Sequence, residues 1–318
     1  MDLYREEAGL TGMPRRVLVI RLGALGNMVQ SLGPFAAIRR FHAGADITLL
    51  TLPPFAEWMA DSPYFDRVWM DDRPDWWNLP GLWRLRRRLI EARFDRIYDL
   101  QTSGRSSRYF QLLLPGPRPQ WSGIAPGCAL PDRDPARNRT HDLRRQANQL
   151  QQAGIADTPP GDLSWCTGDI RRFNLPPRFA LLAPGCSPNR LSKRWPIERY
   201  ADLARVLLAR GEIPVVIGAG AERELGAELV AEVPAAIDLT ARTSLGDVCD
   251  LARVAACCVG NDTGPTHLIA TAGCPTVVIF SFDSDPALCS PGGPDVRVVR
   301  ARDLAELKVD DVLAALTP

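Results

Sequence analysis

From Phe179 onward, short apolar runs alternate with helix-length amphipathic stretches, and this rhythm is the strongest constraint on the fold. Strands are expected at 179–183, 214–217, 236–239, 257–259 and 276–280. Helices are expected at 197–210, 221–232, 245–256 and 264–272, with a last one over Val309 to Leu316. Alternation of this kind builds βαβ units and a parallel sheet. The first half repeats it more loosely. RVLVIRL (16–22) reads as a strand, Gly23 to Asn27 as a turn, and Met28 to Phe41 as an amphipathic helix. Further strands are expected at 46–52 and 95–100, and a helix at 141–153. The Pro-, Gly-, Asp- and Arg-rich stretch 115–139 reads as loop, and 156–177 as a linker. A chain of 318 residues suits two domains. The expected architecture is α/β, with two Rossmann-like domains whose parallel sheets face a central cleft: residues 1–160 and 161–318. The last helix could pack back on the first domain. Ligands then belong at the carboxyl ends of the strands.

Charge and composition exclude several classes. Net charge is 38 − 37 = +1, so no global basic field attracts nucleic acid. The first 158 residues carry 22 basic and 17 acidic groups and the remainder 16 and 20, so the first half favours an anionic partner. No apolar run approaches the ~20 residues that span a bilayer. The opening MDLYREEAGLTGMPRR lacks the apolar region of a secretory signal, so a cytoplasmic protein is expected. The eight cysteines show no zinc-like CxxC spacing and read as reduced core thiols. His42 and His141 fall in no pattern and read as surface residues.

Three segments carry chemistry, each joining a strand to a helix. Gly260-Asn261-Asp262-Thr263-Gly264-Pro265-Thr266-His267 places Pro at a helix start, where its missing N–H costs nothing. Free N–H groups and the positive helix end there favour a phosphate. A capped helix without ligand fits the same residues. Ala183-Pro184-Gly185-Cys186-Ser187 through Lys193-Arg194-Trp195-Pro196 puts hydroxyls and a cation beside the cleft, which suits a diphosphate. A loop stapled by Trp195 is the alternative. Gly218-Ala219-Gly220-Ala221-Glu222 sets a carboxylate where it could accept ribose hydroxyls, although Glu in a first turn is routinely a dipole partner.

Taken together, VLVIRLGALGNMVQSLGPFAAIRR, APGCS…SKRWPIERYADLA and VGNDTGPTHLIATAGCPTVVIFSFDSDP resemble glycosyltransferase family 9, the ADP-heptose:lipopolysaccharide heptosyltransferases. The resemblance runs from about residue 16 to 316 and is poor over about 105–178. It implies a GT-B fold and inverting transfer without metal or cofactor. The donor would be an ADP-sugar and the acceptor a lipid-linked saccharide of lipopolysaccharide-core type, reached at the cytoplasmic face of the inner membrane. It also implies that Ser187 and Lys193 hold the diphosphate and that Glu222 meets the ribose. Asp262, Thr263, Gly264 and His267 would line the sugar-diphosphate site. Asp283-Ser284-Asp285 looks like a metal-binding DxD triplet but falls in the family's loop after the last main strand.

One departure bears on catalysis. The family's first turn usually ends Gly-Asp, and that Asp is its proposed base; here the residue is Asn27. A carboxamide has no basic form near neutral pH, so Asn27 can orient an acceptor hydroxyl but cannot take its proton. Asp99, at a strand end, is the best substitute base. Otherwise positioning and leaving-group stabilisation carry the reaction, or the chain is a non-catalytic nucleotide-sugar-binding protein. Gly23-x-x-Gly26 would suit a dinucleotide oxidoreductase but lacks the full glycine spacing. Arg105 and Arg108, after the 95–100 strand, are candidate acceptor ligands. Five tryptophans between 58 and 83 lead into Trp83-Arg84-Leu85-Arg86-Arg87-Arg88-Leu89, which suits either an anionic membrane surface or a solvated helix face beside an aromatic core.

Overall fold

A computed structural model describes residues 14–316, so the first thirteen residues of the opening stretch read for a signal region lie outside the described residues. The first sheet holds β1 (Arg16–Ile20), β2 (Asp46–Thr51), β3 (Arg67–Met70), β4 (Arg96–Asp99), β5 (Gln120–Gly123) and β6 (Leu130–Pro131). The second holds β7 (Phe179–Ala183), β8 (Ile213–Val216), β9 (Ile237–Asp238), β10 (Cys257–Asn261), β11 (Thr276–Phe280) and β12 (Val296–Arg300). Every pairing is parallel. The orders β3-β2-β1-β4-β5-β6 and β12-β11-β10-β7-β8-β9 are the same permutation, the Rossmann order, run twice. Order reverses beside β1 and β4 in one sheet and beside β7 and β10 in the other. Crevices open at those switch points, and the site lies there.

The helices are α1 (Leu25–Gln30), α2 (Leu32–Phe41), α3 (Pro53–Ala60), α4 (Leu79–Glu91), α5 (Gly104–Leu112) and α6 (Asp142–Gln152) in the first half. The second half adds α7 (Ile197–Ala209), α8 (Arg223–Glu232), α9 (Leu245–Val254), α10 (Gly264–Thr271), α11 (Pro286–Cys289) and α12 (Val309–Leu316). Central strands such as FALLA and TVVIF are buried along their whole length because helices cover both faces.

Four expectations change. The helix over 28–41 is two helices broken at Ser31, because Pro34 has no N–H for the Gln30 carbonyl. Gln146 Nε2 donates to that carbonyl instead, at 3.4 Å. The stretch 115–139 contains β5 and β6, and Trp121 of β5 is wholly buried against Phe110. α12 stays with the second half, against α7 and β12. His42 is buried and 2.9 Å from the Tyr98 hydroxyl, while His141 caps α6 and reaches Ser290. All eight cysteines are free and seven are buried.

The halves meet where glycines let side chains approach closely. α1 lies against α10, where a Cβ on Gly264 would stand 2.6 Å from Leu25 Cβ. A Cβ on Gly26 would touch the His267 ring at 3.3 Å. Gln30 Nε2 donates across the junction to the carbonyls of Cys289 and Ser290, both at 3.2 Å.

Candidate active site

Asn261, the last residue of β10, organises the second half's side of the cleft. It is wholly buried, and its Nδ2 donates to the carbonyls of Pro184 (2.8 Å) and Gly185 (3.2 Å). Its Oδ1 accepts from Trp195 N–H and the Tyr200 hydroxyl. One side chain therefore ties the loop after β7, the KRWP segment and α7 to the end of β10. Trp195 is buried as well and donates to the Leu307 carbonyl, so the stapled-loop reading is true and coexists with a site.

Asp262 follows at the cavity floor. Its Oδ2 accepts from Lys193 Nζ (2.6 Å) and Ser284 Oγ (2.7 Å), and its Oδ1 lies 3.3 Å from His267 Nε2. Burial pushes this carboxyl up, but the hydrogen bonds from His267, Lys193 and Ser284 prevail and hold it at about 2. It is an anion throughout the neutral range. Thr263 is the N-cap of α10, yet its side chain makes no capping bond. The first-turn N–H groups are thus left for a ligand, beside the positive end of the helix.

Glu222 fills the space between Gly185 and Gly218, where a Cβ would stand within 3 Å of it. Its Oε2 accepts from Ala219 N–H at 2.6 Å. Both glycines are needed for the carboxylate to fit.

On the facing wall, the buried Arg21 fixes the first turn. Its guanidinium donates to the Asn27 carbonyl (3.2 and 3.1 Å), the Leu100 carbonyl (2.6 Å) and Asp142 (3.0 Å). The Asn27 side chain stays exposed.

These parts enclose a cavity of about 560 Å³. Ser187, Lys193, Glu222, Asp262, Thr263, Gly264 and His267 all line it, with Asn27 opposite. Arg190 and Cys186, which the sequence reading passed over, line it too. Asp99, Arg105 and Arg108 do not. The Asp99 side chain is wholly buried against Gly123 and Trp121, with Oδ1 accepting from Thr102 N–H, so it has no path to an acceptor in this arrangement. Burial raises its pKa to about 6 despite that bond. Arg105 and Arg108 stack on Trp76 instead, 5.1 and 4.7 Å from the ring centre. Of the DxD-like triplet, Asp283 accepts from Ser192, Ser284 serves Asp262, and Asp285 caps α11. Of the two glycines of the first turn, Gly26 lies against His267 of α10 and Gly23 against the Asn27 side chain, which leaves the dinucleotide reading without a pyrophosphate loop.

Two Rossmann-like domains with a cavity between their switch points make up a GT-B fold. The chain belongs to glycosyltransferase family 9 (heptosyltransferase), whose model matches residues 82–313. Over 291 residues it is 22% identical to the lipopolysaccharide core heptosyltransferase OpsX of Haemophilus influenzae, covering 86% of this chain and 80% of that protein. Among solved structures it is similar to a family 9 glycosyl transferase from Veillonella parvula, with TM-score 0.78, 19% identity and 95% of each chain covered. It is also similar to the E. coli heptosyltransferase WaaC with ADP-2-deoxy-2-fluoro heptose, with TM-score 0.73, 20% identity and coverage of 94% and 98%. The chain is thus a glycosyl-transfer enzyme, which sets aside the non-catalytic alternative at the level of the family.

Proposed function

We propose that this enzyme transfers heptose from ADP-heptose, with inversion and without a metal, to a lipid-linked saccharide of lipopolysaccharide-core type. One observation carries the reading: the Lys193–Asp262 pair, Glu222 and the uncapped start of α10 converge on one cavity, with the Asn27 turn facing them. The bound analogue in the WaaC structure supports the choice of donor. In this reading residues 1–160 hold the acceptor and 161–318 the sugar nucleotide.

Glu222 receives the ribose hydroxyls. Ser187, Lys193 and the N–H groups of Thr263 and Gly264 receive the diphosphate. An acceptor hydroxyl attacks the anomeric carbon as the bond from that carbon to the diphosphate oxygen breaks. Lys193 and the α10 N-terminus take up the charge that gathers on the leaving group. Among the described residues, no carboxylate of the first half lines the cavity. Asn27 therefore orients the hydroxyl, and the rate rests on positioning and leaving-group stabilisation. Closure of the cleft excludes water from the donor.

The test is thermal-shift binding with ADP-heptose, ADP, UDP and GDP. A ligand that binds the native state raises the midpoint by mass action. The reading expects ADP compounds to stabilise the wild type and Lys193→Ala to lose the effect. Equal silence from all four would overturn the donor assignment.

A further inference from the structure

The structure separates the five clustered tryptophans. Trp58 is buried and Trp69 and Trp76 are half-buried, but Trp77 is 79% exposed and Trp83 58% exposed. Met70 and Leu79 are exposed beside them in sequence, so four large apolar side chains between residues 70 and 83 face solvent. Isolated exposed apolar residues are ordinary; a run of them around one helix start is not. The segment is held firmly. Trp76 lies against the Arg105 and Arg108 guanidinium groups, Arg105 also donates to the Pro74 carbonyl, and the Tyr109 hydroxyl donates to Asp71 at 2.6 Å. With Trp76 pinned inward, its neighbour Trp77 is turned out.

α4 then supplies charge. It carries Arg84, Arg86, Arg87 and Arg88 against the single Glu91. Arg88 stacks on Trp69 at 3.9 Å, Arg87 lies over Trp83 at 5.5 Å while pairing with Glu91, and Arg84 makes no ion pair among the described residues. Asp72 and Asp75 in the preceding loop are the opposing charges. A shallow groove between Trp69 and Trp83 is lined by Arg84, Arg87 and Arg88.

We propose that this face docks the enzyme on an anionic phospholipid bilayer, with Trp77, Leu79 and Trp83 entering the interface and the α4 arginines meeting headgroup phosphates. The loop leaves the carboxyl end of β3, the same end of the parallel sheet as the Asn27 turn after β1. Docking there keeps the cleft opening near the bilayer. Its use rests on a lipid-linked acceptor, but its test does not.

The experiment is co-sedimentation with phosphatidylcholine vesicles, with and without phosphatidylglycerol, in the absence of nucleotide and acceptor. The wild type is expected to sediment with the anionic vesicles only, and less at high salt. Losing one arginine near an anionic surface lowers partitioning about fivefold, so Arg84→Glu/Arg87→Glu is expected to fall by more than about twentyfold. Trp77→Ala/Trp83→Ala is expected to fall as well, while Val254→Ala on the second half binds as wild type. All substituted side chains are exposed, and an unchanged thermal-unfolding midpoint shows that the variants are folded. No binding by the wild type, or wild-type binding by both double variants, overturns the proposal. So does a dimer in solution that Trp77→Ala/Trp83→Ala dissociates, because a second copy would then be the occupant.

Discussion

The Lys193 ammonium stands 2.6 Å from the Asp262 carboxylate, with side-chain exposures of 13% and 6%. Burying such a pair earns little net stability, but breaking it strands a charge. Lys193→Ala should therefore cost about 2–3 kcal/mol in unfolding free energy, softened by the bonds from Ser284 and His267. It should also weaken ADP binding by roughly 10- to 100-fold, the worth of one charge-assisted bond. Urea unfolding and calorimetric titration read the two effects. With one donor gone the Asp262 pKa rises toward its unfolded value, so the stability this carboxylate loses as pH falls below about 4 should be smaller in the variant than in the wild type.

Asn27→Asp places a carboxylate on the first half's wall of the cavity. If proton removal limits the rate, kcat should rise, up to about 10²-fold for a general base. A new acidic limb should appear in the pH profile of kcat, since the added base works only when ionised. An unchanged rate would show that base catalysis is not what limits this chain.

Asp99 offers a stability test with a definite sign. Its folded pKa is raised from 3.8 to about 6 by burial. Between those values the folded chain keeps a proton that the unfolded chain has lost, so this group's contribution falls as pH rises from about 4 to 6 and stays lower above that. The shift corresponds to about 3 kcal/mol. Asp99→Asn keeps an acceptor for Thr102 N–H without the titration. Wild type minus variant stability should drop across that window, measured by denaturant unfolding at pH 4, 5, 6 and 7. A flat difference would mean the carboxyl is not buried as described.

Gly264→Ala places a Cβ 2.6 Å from Leu25 Cβ, closer than packed atoms tolerate. It should cost about 1–3 kcal/mol as an overpacking change and reduce turnover by separating α10 from the Asn27 turn. Leu25→Gly in the same chain removes the atom it would strike and should recover turnover more than stability. Steady-state kinetics on the single and double variants checks both.

The second half's wall of the cavity was legible because its residues sit in contiguous strand–turn–helix segments, where spacing alone fixes which groups meet at a strand end. Asn261 was missed as an organiser. The available signal was a polar residue closing a wholly apolar strand, and only the fold shows that three segments converge on it. Asp99 misled because a strand-end carboxylate looks the same in sequence whether it faces a cleft or, as here, is buried beside Gly123. Arg105 and Arg108 misled because their partner, Trp76, lies some thirty residues away, and nothing local distinguishes a guanidinium awaiting an anion from one stacked on a ring. Strands β5 and β6 escaped notice because they are very short and sit among prolines and glycines, which read as loop.

The glycine contacts between α1 and α10 set how far a sugar must travel. Because a Cβ on Gly264 would strike Leu25 and one on Gly26 would press on the His267 ring, the two walls of the cavity stand closer there than larger residues at those positions would allow. The loops around 71–78 and 101–108 contribute no residue to the cavity lining. They can vary in sequence while the width of the cleft at the α1–α10 contact stays fixed.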